Sequence, residues 1–252
     1  MTWDTTRKPF PTWFTVDTHN YCNASCSYCP WPKFRVEKDY PKGKMEWPLF
    51  TKLIDEMAEP AKLPFVENIR FGNIAESMIV PDIWDNIAYT ISKGVPLYIT
   101  SNMTHVTPEA QDRLDALGWT GTLHAHVQPD MGVDYALQLQ NYHAALARWG
   151  KERVKLVYLV EGKSLRIWAG DPRIPDRVAH RCEVDRPLHT MMINHDGRVQ
   201  LCCNDTRQTV ILGSVKDRTI ADVWNDPEWD RTLGVIMDGQ MDLCNHCEWG
   251  KS

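Results

Sequence analysis

No apolar run in the 252 residues approaches the length of a membrane span. The first residues, Met1-Thr-Trp-Asp-Thr-Thr-Arg-Lys-Pro9, lack the apolar core of a secretion signal. These absences set aside a membrane partner and lead us to expect a cytoplasmic protein. The chain also has no internal repeat and no low-complexity tract. An excess of basic residues is missing too. With 28 Lys and Arg against 33 Asp and Glu, the net charge of −5 gives no global signal for nucleic acid. The remaining composition, 43% hydrophobic and 24% charged, is that of an ordinary soluble globular protein. The length suits one barrel-sized domain with a small appendage. Eleven tryptophans are many, and we read them as core and interface packing.

What the chain does have is cysteine. Eight cysteines without a secretion signal favour metal binding over disulfides. Three of them lie in the run Cys22-Asn-Ala-Ser-Cys26-Ser-Tyr-Cys29, with the spacing C-x3-C-x2-C. Three thiolates so close in sequence can wrap one corner of a cubane and hold three irons of a [4Fe–4S] cluster. Such clusters usually have four cysteines, so one iron would stay open to a substrate or cofactor. The rival reading is a zinc knuckle, but zinc sites usually use paired halves with four ligands.

The rest of the chain alternates strand and helix patterns. A β-branched and aromatic run at 13–19 reads as the first strand, with the three cysteines directly after it. In a β/α barrel that loop lies at the catalytic end. Pro30 and Pro32 flank Trp31, disfavour an early helix and predict an extended loop. The loop also carries Lys33, Arg35, Lys38, Lys42 and Lys44, read first as a solvated face and second as steering for an anionic substrate. Helical spacing follows at 48–57, with Phe50, Leu53, Ile54 and Met57 on one face. Further strands are expected at 66–71, 96–100, 121–127 and 154–160. Further helices are expected at 83–92, 108–117 and 133–149, with Thr107 capping the second of these. This rhythm predicts an α/β fold: an open partial (β/α)5–6 TIM-like barrel over residues 1–175. Residues 170–175 read as a linker. Residues 176–252 then form a small α+β unit, with a β-hairpin at 190–202 turning at Asp196-Gly197 and a helix started by Asn225-Asp226-Pro227.

The N-terminal pattern resembles the radical SAM superfamily, in which S-adenosylmethionine (SAM) chelates the open iron through its amino and carboxylate groups. Tyr28 adds to the resemblance, because the family places an aromatic residue just before its third cysteine. The C-terminal order is a lone Cys182, then Gly197-x4-Cys202, then Leu212-Gly-Ser-Val215, Ile220-Ala-Asp-Val-Trp224 and the pair Cys244-Asn-His-Cys247. That order resembles the twitch domain, the short form of the SPASM domain. The whole chain is similar to small twitch enzymes of the 2-deoxy-scyllo-inosamine dehydrogenase family. The resemblance implies an auxiliary [4Fe–4S] cluster on Cys182, Cys202, Cys244 and Cys247. The chain ends five residues past Cys247, so one auxiliary cluster is expected rather than two. Cys203 shares its parity with Val199 and Leu201, which predicts a buried core thiol. A structural zinc on four of these five cysteines is the rival.

The resemblance also implies a SAM pocket. The family binds the methionine amino group with a Gly-Gly-Glu-Pro-like segment after its second strand. Here the residues from Phe71 to Asp82 are Phe-Gly-Asn-Ile-Ala-Glu-Ser-Met-Ile-Val-Pro-Asp. Glu76 takes the binding role in this register, with Gly72 and Asn73 in the same loop. Ile74 and Ala75 replace the two glycines and Ser77 replaces the proline, so a different backbone path is expected. Ser101 and Asn102 match the polar position that holds the ribose. The bland alternatives are an exposed loop carboxylate and a turn cap. His124, His126 and Gln128 share one strand face. If that face is the barrel interior they line the substrate cavity; if not, they meet solvent or helices. His124, His126 and Glu161 are the candidates to take a substrate proton, while Glu161 and Arg166 read more simply as surface charges.

By this resemblance the first cluster cleaves SAM reductively to a 5′-deoxyadenosyl radical, which abstracts a substrate hydrogen. The auxiliary cluster then accepts an electron, giving net oxidation of a small polar molecule. A flavodoxin- or ferredoxin-type partner supplies the first electron. The cofactor carries the chemistry, which suits a chain in which few acid–base residues stand out. Relatives also act on short peptides as epimerases or cross-linking maturases. Only 21 residues precede Cys22, too few for a peptide-recognition domain, which favours a small molecule. A non-enzymatic iron–sulfur carrier or zinc-stabilised module is the reading from another class, and SAM cleavage separates it from an enzyme.

Overall fold

A computed structural model describes residues 3–157 and 178–252. Five strands of the N-terminal part are β1 (Trp13–Val16), β2 (Asn68–Phe71), β3 (Leu97–Ser101), β4 (Leu123–His126) and β5 (Val154–Val157). They pair in parallel in chain order. The helices of this part are α1 (Trp31–Phe34), α2 (Trp47–Met57), α3 (Ile83–Ser92), α4 (Pro108–Ala116) and α5 (Tyr135–Arg153), the last broken at Gly150. A 3-10 turn at Leu63–Phe65 leads into β2. The C-terminal part holds β6 (Arg181–Cys182), α6 (Arg186–His189), β7 (Thr190–Ile193), β8 (Arg198–Gln200), β9 (Ile211–Ser214), α7 (Ile220–Trp224), α8 (Pro227–Met237), α9 (Asp242–Asn245) and β10 (Gly250–Lys251).

One eight-stranded sheet runs β5-β4-β3-β2-β1-β7-β8-β9, and β6 pairs with β10. Among the described residues the sheet is open, with β5 and β9 at its two edges. The expected hairpin, β7–β8, therefore extends the barrel sheet. β7 adds a sixth parallel strand beside β1, with Val16 opposite both Phe71 and Ile193. The proposed boundary at 175/176 and the expected strand residues 158–160 lie outside the described residues.

Pleating sorts the strand residues onto two faces. Phe14, Val16, Ile69, Phe71, Leu97, Ile99, Leu123, Ala125, Met191 and Ile193 are all buried in one apolar core. The amphipathic face of α2 packs here, with Phe50, Leu53, Ile54 and Met57 all at most 1% exposed. The Phe50 and Phe71 rings lie 5.6 Å apart. The other face carries Thr15, Arg70, Thr100 and His126, and this polar face positions the site.

Two helix starts form as their sequences dictate. The Thr107 hydroxyl accepts the Ala110 N–H, and Asp226 accepts the Glu228 N–H ahead of Pro227. The loop after β1 departs from expectation. Trp31–Phe34 is a one-turn helix, with Pro30 at its N-cap and Pro32 in its first turn. Proline is tolerated there because the first N–H groups have no intrahelical partner. Burial favours the turn: Trp31, Phe34 and Tyr40 form a small core against Cys22 and Cys29.

Glu56 ties α2 to the C-terminal part. Its buried carboxylate accepts the Ile220 and Ala221 N–H groups at the start of α7, at 2.9 and 3.1 Å, and pairs with Lys62 at 3.2 Å. Removing it leaves those N–H groups without this acceptor. We expect Glu56→Ala to lower unfolding free energy by about 1–3 kcal/mol, with Glu56→Gln losing less. Urea unfolding checks this, and an Ala variant as stable as the parent would contradict the assignment.

Candidate active site

The polar face of the sheet opens into a cleft of about 880 Å³, part of it continuous with solvent. Cys22, Cys26 and Cys29 line one side of it. Their loop is pinned to the segment after β4: Ser25 N–H donates to the Met131 carbonyl at 2.8 Å. Gly132 packs against the Ser25 hydroxyl at φ +65°, a left-handed conformation that favours glycine. Backbone N–H groups point at two of the sulfurs, Ala24 to Cys22 at 3.4 Å and Trp31 to Cys29 at 3.5 Å. Burial pushes the Cys22 and Cys29 thiols up to about 12 and raises Cys26 as well. A metal must therefore displace protons from these thiols to bind.

Beyond the cysteines, Glu76 forms another part of the wall. It is 2% exposed. Its carboxylate accepts the Ser101 hydroxyl at 2.7 Å, the Asn102 N–H at 2.6 Å and the Met78 N–H at 3.2 Å. Burial raises its pKa above the ordinary carboxylate value, and these three donors oppose the rise. Gly72 turns the chain out of β2 at φ +79°, a left-handed conformation that favours glycine. Ala75 and Ser77, in place of the family's glycine and proline, still deliver Glu76 to the cleft. Asn102 and Asn23 join the loop after β3 to the cysteine loop, Nδ2 to Oδ1, at 2.8 Å.

Arg70 and Asn73 form the floor. Arg70 is buried and donates to Thr15 at 3.2 Å and to the Asn73 Oδ1 at 3.4 Å. Asn73 N–H donates to Asp17 at 2.7 Å, while its Nδ2 donates to the Cys203 carbonyl at 2.9 Å. Burial pushes the Asp17 carboxyl up to about 7, against the pull of the Asn73 N–H and of Arg70.

The expected histidine pair divides. His126 lines the cleft. His124 lies on the same strand face two residues earlier, against the Tyr98 ring at 4.9 Å, and is not part of the cleft lining. Gln128 accepts a long hydrogen bond from the Tyr28 hydroxyl at 3.4 Å. Glu161 and Arg166 lie outside the described residues.

Cys182, Cys202, Cys244 and Cys247 line a second cavity, with Arg186, Leu201 and Trp249. Cys182 ends β6, Cys202 follows the hairpin, and Cys244 and Cys247 bracket the end of α9. A Cβ on Gly250 would meet the Cys244 carbonyl at 2.2 Å. Burial pushes the Cys244 thiol up to about 12 and raises Cys182 and Cys202.

Cys203 is the correction. It is half-buried and lines the main cleft, not the apolar core. β8 ends at Gln200, so strand alternation no longer applies at residue 203. The tight turn instead sends Cys202 to the second cavity and Cys203 and Asn204 to the cleft.

The donor sets suit iron–sulfur clusters. The second cavity offers four sulfurs with no carboxylate or imidazole in its lining. The cleft offers three sulfurs and open space beside them.

Comparisons with known proteins agree. Residues 182–248 match the SPASM family, an iron–sulfur cluster-binding domain. The C-terminal part thus carries a SPASM-type iron–sulfur cluster-binding domain, and the chain as a whole is similar in sequence and fold to SAM-dependent enzymes. The chain is similar to the SAM-dependent 2-deoxy-scyllo-inosamine dehydrogenase of Niallia circulans, 23% identical over 240 residues, 92% of this chain and 90% of the relative. Its fold matches the crystal structure of BtrN in complex with AdoMet and 2-DOIA, with a TM-score of 0.78, 22% identity, and coverage of 96% of this chain and 94% of the other. It also matches Streptococcus suis SuiB bound to the precursor peptide SuiA, with a TM-score of 0.60, 14% identity, and coverage of 97% and 72%.

Sequence reasoning missed Arg70, Thr100, Asn204 and Thr206 as cleft residues. Arg70 did leave a signal, a charge between Ile69 and Phe71 in an otherwise apolar strand.

Asp17 generates a pH prediction. Its folded-state value of about 7 lies above its ordinary 3.8. Its contribution to stability is full below about pH 4 and is lost as pH rises through 7. We expect Asp17→Asn, which keeps an acceptor for Asn73, to remove a fall of a few kcal/mol between pH 5 and 8. Denaturant titrations at both pH values check this, and an unchanged pH dependence in the variant would contradict it.

Proposed function

We propose that the enzyme oxidises a small polar molecule by two electrons, an alcohol-type carbon being the first candidate. The observation that carries this reading is the shared wall. Cys202 faces the second cavity while its neighbours Cys203 and Asn204 face the cleft. A substrate in the cleft is thus separated from the auxiliary site by the thickness of one chain segment. The similarity to a dehydrogenase supports the same reading.

In this reading residues 1–175 supply the SAM-binding part and residues 176–252 the auxiliary part. Cys22, Cys26 and Cys29 hold the first cluster, and Cys182, Cys202, Cys244 and Cys247 hold the second. When bound, SAM and the first cluster supply a 5′-deoxyadenosyl radical that takes a hydrogen atom from substrate. Glu76 receives the methionine amino group, its carboxylate held in place by Ser101 and Asn102. A cationic partner there offsets the cost of a buried carboxylate. Gly72 and Asn73 shape the adjoining loop, Ser101 and Asn102 also flank the ribose, and Tyr28 borders the site. Of the two strand histidines, His126, which lines the cleft, is the one we assign to take the substrate proton. Glu161 keeps its candidacy from sequence alone. A flavodoxin- or ferredoxin-type protein supplies the electron.

The test uses anaerobically reconstituted protein, SAM and reductant, with 2-deoxy-scyllo-inosamine as the first substrate tried. Deuterium at the oxidised carbon should appear in 5′-deoxyadenosine, with one SAM consumed per product. Replacement of that deuterium by solvent hydrogen without a change in oxidation level would mean epimerisation and sink the proposal. Turnover only with a short peptide would favour a peptide-modifying activity, the second reading, for which the fold shared with peptide-bound SuiB speaks.

Two variants test the ligand sets. Cys22, Cys26 and Cys29 changed together to Ala should abolish SAM cleavage and lower iron from about eight to about four per chain. Cys202→Ala should still make 5′-deoxyadenosine yet yield no oxidised product. Zinc in place of iron in the triple variant would overturn the C-terminal assignment.

A further inference from the structure

Asn204 belongs to both sites. It is 6% exposed, and it lines the main cleft. Its side-chain Nδ2 stands 3.2 Å from the Cys247 sulfur, on the wall of the second cavity. A protonated thiol could donate or accept in such a contact. A cysteine bound to iron carries no proton and only accepts. The carboxamide must then turn its NH2 group to the sulfur and its carbonyl oxygen away. The Cys203 thiol stands 3.9 Å from that oxygen, on the cleft side. The backbone around Asn204 is fixed. Gln200 Nε2 donates to the Cys202 and Asp205 carbonyls at 2.9 and 3.1 Å, and Asn73 Nδ2 donates to the Cys203 carbonyl at 2.9 Å. The backbone on either side of Asn204 is thus held in place, with the buried amide standing against Cys247.

We propose that Asn204 is a positioning residue that sets the potential of the auxiliary cluster from the substrate side. Its N–H bond to the Cys247 sulfur withdraws electron density and raises the potential at which that cluster takes up an electron. Hydrogen bonds to cluster sulfurs are one of the ways a protein tunes such potentials. The inference rests on the reading that Cys247 is a ligand, so the test separates the two.

The experiment uses the full chain with Cys22, Cys26 and Cys29 changed to Ala, reconstituted anaerobically, so that only the C-terminal cluster contributes to the signal. Redox titration followed by electron paramagnetic resonance gives its midpoint potential, with and without Asn204→Ala or Asn204→Asp. Both changes remove the N–H donor and should lower the potential. The expected shift is at least a tenfold change in the oxidised-to-reduced ratio at fixed potential, about 59 mV for one electron. Four retained irons with an unmoved potential in both variants would overturn the inference alone. No iron before residue 204 is altered would overturn the ligand reading and the inference with it. A second measurement leaves residue 204 intact. With side-chain-amide 15N-Asn incorporated, electron–nuclear double resonance on the reduced cluster should show a weakly coupled 15N that is absent in the Asp variant. Absence of that coupling with residue 204 intact would overturn the inference even if the variants fail to hold iron.

Discussion

The architecture depends on one short stretch of chain, residues 202–204, standing between two cysteine-lined cavities. Its path is fixed by hydrogen bonds from both sides. Asn73, at the exit of β2, holds the Cys203 carbonyl. Asp205, immediately after, accepts the Thr209 and Val210 N–H groups and closes the turn. Tyr40, in the N-terminal cysteine loop, donates to the Thr206 carbonyl at 3.0 Å. Arg207 pairs with Glu37 of the same loop at 3.1 Å. That pair is half-exposed and worth little by itself, but the buried Tyr40 contact and the stacked Phe34–Tyr40 rings, 4.7 Å apart, are shielded from water. The two cysteine sites are therefore built against each other and not merely joined in one chain.

The sheet supplies the remaining constraint. A half-barrel strand must satisfy helices on one face and a ligand space on the other. Apolar residues meet the helices, and Thr15, Arg70, Thr100 and His126 stand on the opposite face. Burying such groups is costly unless they are bonded. The bonds of Arg70 to Thr15 and Asn73, and of Glu76 to Ser101 and Asn102, show how the chain meets that cost. The result is a cleft with a polar wall whose buried groups are held by hydrogen bonds within the chain.

Much of this was legible in the residues, and the failures have specific causes. The helix at Ile83–Ser92 and the start of α8 followed from local spacing and capping, which act within a few residues. The pairing of β7 with β1 is non-local, and no local pattern announces it. The prolines around Trp31 were read as helix breakers, yet burial of Trp31 and Phe34 places them where proline does no harm. Cys203 was placed by strand parity, which fails where the strand stops. The histidine pair was correctly put on one face, but a face has two ends, and only His126 reaches the cleft. Cysteine spacing pointed to two cluster sites because ligands to one cluster must follow the geometry of that cluster, and the fold brings each cysteine set to line one cavity.

The central claim is that two iron–sulfur sites flank one cleft and share the wall at 202–204. Anomalous scattering at the iron edge, from crystals of anaerobically reconstituted protein, tests it most directly. The account predicts two separate iron peaks, one at Cys22, Cys26 and Cys29 and one at Cys182, Cys202, Cys244 and Cys247, with Cys203 ligating neither. A single peak, or a C-terminal peak bound through Cys203, would contradict it.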